Sequence, residues 1–239
     1  MEKMKTQLEY SAIRRYCKKA GFRARISPAH GYAHPVRPRI RGCGHTSIEQ
    51  ETIRMNDYES EHETMFEGEC ISEAIATMSE AICEHIANDP PESVALIGIQ
   101  AGGVPLAKRI ARCIRESTGR EVDVGTLDIS MYRDDIGKRK TLPMIRETNI
   151  PFDINDKIII LADDVLQSGR SVRAALDALT DFGRPGQIRL AALIDRGGRE
   201  FPIHADYVGM KVSVGPEWRV CMDWEECNGT DSVFKVKKQ

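Results

Sequence analysis

Three short runs of mainly apolar residues constrain the fold of this 239-residue chain more than any other feature. They lie at 94–99, 158–161 and 188–194. Runs of this length with little polar alternation are typical of strands buried on both faces of a sheet. Helix-like stretches at 104–114 and 169–182 follow the first two runs. This alternation predicts an α/β fold with a central, mainly parallel sheet flanked by helices.

Weaker patterns on either side complete the expected architecture. Apolar residues that recur mostly every four positions predict an amphipathic helix over 66–86. Val122, Val124 and Ile129 indicate one further strand. Short alternating pieces near the end of the chain indicate edge strands or a small appended hood. They begin at Tyr207, Trp218 and Ser232.

Composition excludes several classes of protein. No stretch approaches the roughly 18 uninterrupted apolar residues of a membrane-spanning helix. The first residues lack the apolar segment of a secretory signal. The seven cysteines form no C-x-x-C pair, which argues against a disulfide framework or a zinc knuckle. We therefore expect a cytoplasmic globular protein with reduced thiols and no membrane association.

Positive charge is concentrated in the first part of the chain. Residues 1–46 contain eleven Lys and Arg against two Glu, so they carry +9 while the whole chain carries −2. No sustained helical or alternating pattern runs through them, and three prolines interrupt their second half. We predict that 1–60 form a basic extension that is disordered, or that precedes a true start of translation at Met55, and that 61–239 form the folded domain. The alternative is a polyanion-binding tail.

This extension also contains one group of metal-binding residue types: His30, His34, Cys43 and His45. Their spacing matches none of the common zinc patterns. We therefore predict no metal-ligating residues in the chain.

The chemistry is expected at the carboxyl ends of the strands, where open α/β sheets bind their ligands. The second apolar run leads into Asp163 and Asp164, and then into a small polar stretch that opens a helix. Two adjacent carboxylates at a strand end are costly unless they meet a cation or hydroxyl donors. Free N–H groups and the helix dipole favour a phosphate beside them. The combination suits a sugar phosphate, with the acids on the ribose hydroxyls and the loop on the 5′-phosphate.

Plainer interpretations of the same residues remain open. Asp163 and Asp164 could form a turn with a helix N-cap. Gly102 and Gly103, which follow the first strand, could serve only the turn from strand to helix. The charges of 134–149 could belong to a solvated loop. Neither a Walker loop nor a dinucleotide fingerprint occurs in the chain.

The segment 159–171, Ile-Ile-Leu-Ala-Asp-Asp-Val-Leu-Gln-Ser-Gly-Arg-Ser, resembles the phosphoribosyl pyrophosphate (PRPP) motif of the type I phosphoribosyltransferases. More narrowly, four segments resemble the PyrR family of pyrimidine-operon attenuators that are also uracil phosphoribosyltransferases. These segments are 127–135, 163–179, 182–185 and 192–207. The similarity extends over residues 66–236 in the expected order. It implies a type I phosphoribosyltransferase fold with a small hood, in a homo-oligomer of two or more chains.

The resemblance implies a role for each part of the site. Among the catalytic residues, Asp163 and Asp164 are expected to hold the ribose 2′- and 3′-hydroxyls, and Arg133 is expected to face the pyrophosphate. The implied PRPP-binding residues are Gln100, Ala101, Gly102, Gly103, Val165, Leu166, Gln167, Ser168, Gly169, Arg170 and Ser171. The base is expected near 194–203, and the implied base-binding residues are Ile194, Asp195 and Arg196.

The resemblance further implies a mobile flap over 134–149 that closes on the leaving pyrophosphate. Its cationic residues are Lys138, Arg139, Lys140 and Arg146. Mg²⁺ is expected to bind mainly through PRPP oxygens and water, with few protein ligands. The expected small-molecule partners are PRPP, uracil and UMP. The expected macromolecular partner is the leader RNA of a pyrimidine operon.

Three departures from the family pattern modify these expectations. Residues 101–103 read Ala-Gly-Gly where the family usually has Thr-Arg-Gly, which removes a charge-assisted contact to pyrophosphate. Gln167 and Ser168 replace Tyr-Thr in the phosphate loop, a change that keeps the hydroxyl. Basic or His positions of the family's RNA-binding face are here Gly198, His204 and Met210. The last change weakens the expectation of RNA binding, because that binding depends on cations.

Three functions therefore remain open. The first is formation of UMP and diphosphate from uracil and PRPP. The second is a UMP-sensing, RNA-binding regulator of transcription attenuation with little or no catalysis. The third is a phosphoribosyltransferase for another base, which the PyrR-like segment at 194–203 disfavours.

Overall fold

A computed structural model describes residues 62–134 and 145–238 of the protein. Strands and helices alternate through most of this part of the chain. In chain order they are β1 (His62–Glu67), α1 (Gly68–His85), β2 (Val94–Ile99), α2 (Gly103–Thr118), β3 (Asp123–Leu127), β4 (Ile158–Leu166), α3 (Arg170–Leu179), β5 (Gln187–Asp195), β6 (Tyr207–Lys211), β7 (Trp218–Asp223), α4 (Glu225–Asn228) and β8 (Ser232–Lys237).

The central sheet has five strands in the order β3-β2-β4-β5-β6, and every neighbouring pair is parallel. Strand β2 lies between β3 and β4, so the ends of the first two predicted strands are direct neighbours. The predicted α/β fold with a mainly parallel centre is confirmed.

Alternate residues of the central strands supply two separate hydrophobic cores. Leu96 and Ile160 pack with the buried faces of α1 and α2. Ile97 and Ile159, their neighbours in sequence, pack with α3 on the opposite face. Side chains alternate between the faces of a strand, so continuous apolar runs are required where helices cover both faces.

The predicted hood is a separate three-stranded antiparallel sheet in the order β1-β8-β7. Its strands come from both ends of the described region. The predicted helix over 66–86 is therefore wrong at its start, because Phe66 pairs with Val233 in the hood and the helix begins at Gly68. The first alternating piece near the end of the chain, β6, is an edge strand of the parallel sheet, as one of the two predicted outcomes had it.

Several predicted boundaries also shift. Strand β4 continues to Leu166, so Asp163 and Asp164 lie within the strand rather than after it. Helix α2 extends to Thr118 and stops at Gly119, whose φ of 71° is in the left-handed region that glycine adopts freely. Helix α3 ends at Leu179 instead of 182. None of the described helices is both long and apolar enough to cross a membrane.

Two sequence predictions fall outside the described residues. They are the basic extension 1–60, with its His and Cys group, and the flap positions 135–144. Of the cationic flap residues only Arg146 is described, and its backbone N–H donates to Asp128 Oδ2 at 2.6 Å.

Arg109 joins helix α2 to the turn that precedes the last hood strand. Its guanidinium contacts Glu226 at 2.7 Å and Asp231 at 2.5 Å, and lies 4.8 Å from the centre of the Trp224 ring. Arg109 and Asp231 are both largely buried, whereas Glu226 is half-exposed. Removing one member of a buried ion pair leaves the other charge without compensation.

We expect Arg109→Ala to lower the free energy of unfolding by about 2 to 4 kcal/mol, because Asp231 loses its partner in a largely buried position. Urea denaturation at neutral pH measures the loss. The matched control is Arg112→Ala, one turn further along α2 at an exposed position, with an expected change within about 0.5 kcal/mol. Equal effects of the two variants would contradict the role of Arg109.

Candidate active site

The loop after β2 lies directly on the end of β4. A Cβ atom on Gly103 would lie 2.1 Å from the Ala162 carbonyl oxygen, and one on Gly98 would lie 2.6 Å from the Gly103 oxygen. Real Cβ atoms do not approach so closely, so glycine is required at both positions for this packing. The structure therefore brings together the two predicted loops, 100–103 and 163–171, at one edge of the sheet.

Gly102 contacts the acidic pair itself. A Cβ atom at this position would lie 1.9 Å from Asp164 Oδ2 and 2.9 Å from Asp164 Cβ. The Asp164 carboxylate thus occupies the space where a side chain on residue 102 would begin. The peptide bond between Gln100 and Ala101 in this loop is cis. Gly102, which stands where the family pattern has arginine, therefore places its backbone directly against the carboxylate.

Main-chain N–H groups donate to Asp163 and Asp164, but they do not offset the burial of the two carboxyl groups. Asp163 Oδ1 accepts from the Asp164 N–H at 3.1 Å, and Asp164 Oδ1 accepts from the Val165 N–H at 2.8 Å. Burial, together with the neighbouring Asp164 charge, raises the pKa of Asp163 well above its ordinary value, and Arg133 opposes this shift. Burial also raises the pKa of Asp164. Two buried carboxylates that resist ionisation favour a ligand that offers hydroxyl donors or a cation.

The loop between β4 and α3 accepts hydrogen bonds from the segment that follows β5. The Ser168 carbonyl accepts from the N–H groups of Glu200 and Phe201 at 2.9 and 3.0 Å, and the Leu166 carbonyl accepts from the Arg196 N–H at 3.1 Å. Gly169, with φ of 88°, caps α3. The first N–H groups of a helix have no intrahelical acceptor, so this loop presents donors to an anion.

Arg199 holds segment 194–203, where the base is expected, against the loop after β4. The sequence patterns do not indicate this role. Its guanidinium donates to the carbonyls of Leu166, Gln167 and Ile203 at 3.2, 2.8 and 2.8 Å. It also pairs with Asp195 Oδ2 at 2.7 Å. Arg199 is therefore a structural element of the site. Only the Asp-Arg-Gly-Gly-Arg spacing, which permits an ion pair across a tight turn, could have pointed to it.

Helix α3 anchors the short segment that carries Arg133. Arg133 Nη1 donates to Ser171 Oγ at 3.1 Å, and Arg173 Nη2 donates to the Tyr132 carbonyl at 3.1 Å. Arg170 pairs with Asp134 on this segment and with Glu200 on the base segment. Arg133 thus contacts the start of α3 and lies close enough to the acidic pair to oppose the pKa shift of Asp163; its role toward pyrophosphate stays a prediction.

Segment 194–203, where the base is expected, contains one polar side chain that is already paired and one whose donors lack acceptors. The first is Asp195 and the second is Arg196. Asp195 accepts from the Gly197 N–H at 2.9 Å and pairs with Arg199, and these interactions outweigh burial and lower its pKa. Arg196 is 7% exposed and donates through Nη2 to the Gly215 carbonyl at 3.3 Å. Its Nε and Nη1 atoms are buried and have no hydrogen-bond partner. Buried donors without acceptors are rare in native proteins, so this side chain is suited to a ligand acceptor.

The residues present fit a Mg²⁺ ion that arrives with its substrate. Among the described residues, no group of three or more His, Cys, Asp or Glu side chains could form a metal cage. The paired carboxylates are hard oxygen donors beside a loop with free N–H groups, and Mg²⁺ usually keeps substrate and water ligands. Asp163 and Asp164 are the residues that would approach it.

Comparison with known proteins identifies the family of this site. The phosphoribosyl transferase domain matches residues 66–224. The "Bifunctional protein PyrR" of Roseiflexus sp. (strain RS-1) is 49% identical over 168 residues, which cover 70% of this chain and 91% of that protein. The chain belongs to the PyrR family. As a PyrR-family member with a matching transferase domain, it is a phosphoribosyltransferase.

Further PyrR-family relatives support the same assignment. The "Bifunctional protein PyrR" of Thermus aquaticus is 54% identical over 153 residues, which cover 64% of this chain and 84% of that protein. That of Deinococcus radiodurans is 46% identical over 170 residues, covering 71% and 92%. In each case the similarity spans most of the relative.

Solved structures agree on the fold. A hypoxanthine-guanine phosphoribosyltransferase from Bacillus anthracis has a TM-score of 0.55 at 17% identity, covering 74% of this chain and 99% of that one. A hypoxanthine phosphoribosyltransferase from Trypanosoma cruzi has a TM-score of 0.56 at 17% identity, covering 76% and 94%. Identities this low support the predicted type I phosphoribosyltransferase fold alone.

The raised pKa of Asp163 predicts a change of stability with pH. Burial raises this pKa in the native state. At pH values above the ordinary Asp range, Asp163 therefore still holds its proton in the native protein but has lost it in the unfolded chain. Stability is therefore lost as the pH rises from that range toward the raised pKa. Asn cannot ionise, so we expect Asp163→Asn to unfold at higher urea than the parent at about pH 7.5, with the difference vanishing near about pH 3.

Urea titrations at the two pH values test this expectation. Asp89→Asn, in the turn after α1, serves as the control and is expected to change the midpoint little at either pH. A lower midpoint for Asp163→Asn at the higher pH would show that the carboxylate is stabilised by its surroundings and would contradict the assigned shift.

The close approach at Gly102 predicts a selective effect on PRPP. A methyl group there must displace the Asp164 carboxylate, so we expect Gly102→Ala to raise KM for PRPP by about tenfold or more, the loss of one charged hydrogen bond. Steady-state kinetics measure KM, and thermal unfolding shows whether the variant folds. Gly119→Ala, at a helix end far from the acids, controls for removal of a glycine. An unchanged KM in a folded Gly102→Ala variant would show that Asp164 does not contact PRPP.

Proposed function

We propose that the protein transfers the phosphoribosyl group of PRPP to N1 of uracil and releases UMP and diphosphate. The observation that carries the proposal is the convergence of three elements at one sheet edge. They are the acidic pair of β4, the open N-terminus of α3 and the loop after β2. A ribose 5-phosphate with a leaving group at C1′ needs these three kinds of contact on three of its sides.

Each element takes one part of PRPP in this proposal. Asp163 and Asp164 accept hydrogen bonds from the ribose hydroxyls. The N–H groups of 168–171 and the Ser168 and Ser171 hydroxyls bind the 5′-phosphate. Loop 100–103 lies against Asp164, and we assign the N–H groups of 101–103 to the pyrophosphate at C1′. Arg133, which contacts Ser171, supplies a guanidinium to the pyrophosphate.

The reaction then needs charge stabilisation more than covalent catalysis. The bond from C1′ to the pyrophosphate oxygen breaks as the bond from uracil N1 to C1′ forms, and the N1 proton leaves to the pyrophosphate or to water. Positive charge develops on the ribose, and the adjacent carboxylates favour it. Arg133 and the loop amides favour the negative charge on the leaving group. Mg²⁺, when bound, neutralises part of the pyrophosphate charge.

Arg196 is the base contact that the geometry favours within the predicted segment. Uracil offers two carbonyl oxygens, which are the acceptors that the free Nε and Nη1 donors lack. Asp195 already pairs with Arg199. We therefore assign Asp195 to the shape of the turn and Arg196 to the recognition of a carbonyl.

The surface expected to bind leader RNA supports the enzymatic function over the regulatory one. Helix α1, which packs beside β6, contains four Glu and no Lys or Arg. On the neighbouring elements, Gly198, His204 and Met210 stand where the family has basic or His residues. Phosphate groups are repelled by such a face.

The decisive experiment is a turnover assay on the full chain with Mg²⁺, PRPP and one of uracil, hypoxanthine, guanine or orotate. We expect UMP and diphosphate from uracil, and a loss of about 10²- to 10³-fold in kcat/KM for Asp164→Asn, the usual effect of removing one preorganised electrostatic contact. Asp89→Asn is the matched control, and Arg196→Met should raise KM for uracil while leaving KM for PRPP unchanged.

Three other results would each reject a different part of the proposal. Turnover of a purine in place of uracil would keep the PRPP site and reject the base assignment. Full activity in Asp164→Asn would reject the ribose contact. Absence of product from every base would reject the enzymatic function.

A further inference from the structure

A basic groove lies between α2 and the outermost parallel strand, β3. Its volume is about 310 Å³, and Val122 and Val124 belong to its apolar floor. Glu121 is the one acidic residue in its wall. Three cationic side chains of α2 line it: Lys108, Arg112 and Arg115.

The three cations form a row that the fold itself does not use. All three residues are exposed, and none of them forms a salt bridge within 62–134 and 145–238. Their spacing of four and three residues places them about 6 Å and about 4.5 Å apart along the helix axis. Such a row suits a ligand whose acidic groups recur at similar intervals.

The floor of the groove belongs to a strand with a free outer edge. Strand β3 is the last strand of the sheet on its side. Thr126 exchanges both main-chain hydrogen bonds with Asn149, at 2.8 and 2.9 Å, in a single antiparallel bridge. The Leu127 carbonyl, in contrast, accepts from the Gln100 N–H on the β2 side.

Val124 therefore faces outward, as Thr126 does, because backbone groups alternate in direction along a strand. No other described residue donates to or accepts from the Val124 main chain on that outer side. Beside the groove, the edge of β3 is thus open to a further strand.

A strand added at this edge directs alternate side chains at the α2 cations. Val124 packs against the core that α2 covers, and residues opposite each other on paired strands have their side chains on the same face. Side chains on one face of a strand recur about every 6.8 Å. This interval is close to the spacing of Lys108 and Arg112 along α2. An extended segment with acidic residues at alternate positions therefore matches both the strand edge and the row of cations.

The groove lies toward the opposite ends of the strands from the acidic pair. Val124 is near the start of β3, where Asp123 pairs with Ala95 near the start of β2. Asp164, in contrast, is near the end of β4, against the beginning of α2. A ligand in the groove is thus separate from PRPP, and this inference does not depend on the proposed function.

We propose that the groove binds an extended acidic segment of a partner protein, which adds as a strand to the edge of β3. Main-chain hydrogen bonds to Val124 fix the register of the segment. Its alternate carboxylates pair with the guanidinium forks of Arg112 and Arg115.

Two observations favour a polypeptide over other anions. A strand edge is completed by the alternating N–H and C=O groups of a peptide backbone, which phosphate metabolites and nucleic acids lack. None of the described residues that line the groove is aromatic, so an unpaired base finds no ring on which to stack.

Hydrogen–deuterium exchange of the full chain with the peptide Gly-Glu-Val-Glu-Val-Glu-Gly tests the proposal. The amides of 120–125 report on the edge of β3, and their protection at increasing peptide concentration gives the Kd of this site alone. The groove variant is Arg112→Gln with Arg115→Gln. The control is Arg184→Gln with Arg219→Gln, two exposed positions outside the groove that change the net charge equally. Thermal unfolding shows that each variant folds.

We expect slower exchange at 120–125 when the peptide is present at low salt. The groove variant should raise the Kd about fivefold or more, because two exposed charge pairs are lost, and the control should stay within about twofold of the parent. A peptide with Gln in place of Glu should also bind more weakly. Methylation of every peptide N–H should abolish the protection, because it removes the donors that a strand edge needs.

Four results would overturn the proposal. One is a lack of protection at 120–125 at any peptide concentration, including protection of 1–46 alone. Another is an equal rise in Kd in the groove variant and the control, which would indicate only net charge. A third is undiminished protection by the methylated peptide, which would reject strand addition. The fourth is displacement of the peptide by U12 or by inorganic triphosphate at lower concentrations than by unlabelled peptide, which would assign the groove to a phosphate ligand.

Discussion

The site depends on the close contact between two neighbouring strand ends. Strands β2 and β4 are adjacent and parallel, so the loop after one meets the acidic end of the other. The contact is possible only because Gly98, Gly102 and Gly103 carry no side chains. Without this contact, the two carboxylates and the loop after β2 could not bind the same ligand. Their raised pKa values are the electrostatic cost of this arrangement.

A second set of contacts determines what the phosphate loop can bind. Hydrogen bonds from Arg196, Arg199, Glu200 and Phe201 occupy the carbonyls of 166–168. These hydrogen bonds fix the position of the loop that leads into the N-terminus of α3. In the proposed function, segment 194–203 therefore supports the loop assigned to the 5′-phosphate as well as the part of the site assigned to the base. This explains why Arg199 is fully engaged in hydrogen bonds inside the protein.

Much of this architecture could be predicted from the sequence. The apolar runs predicted three of the five parallel strands, because a strand buried on both faces must be apolar throughout. The acidic pair and the polar loop after it indicated a sugar-phosphate site, since such a ligand offers hydroxyl groups to the carboxylates and a phosphate to the loop. The prediction failed at Phe66, where a helical repeat of apolar residues continued into a strand of the hood. Pairing with a strand more than 160 residues away leaves no local signal.

The side-chain interactions within the site could not be predicted in the same way. Arg109, Arg170 and Arg199 all look like surface cations in the sequence. Arg109 and Arg170 form ion pairs with distant segments, and Arg199 donates to the carbonyls of Leu166 and Gln167. Only the packing of these elements shows which arginines are engaged and which are free.

The central claim is that loop 100–103 and loop 166–171 bind one ligand together. Hydrogen–deuterium exchange of the full chain, with and without PRPP and Mg²⁺, tests this most directly. The account predicts slower exchange of the backbone amides in both loops when PRPP is present. Protection of only one loop, or of neither, would contradict it.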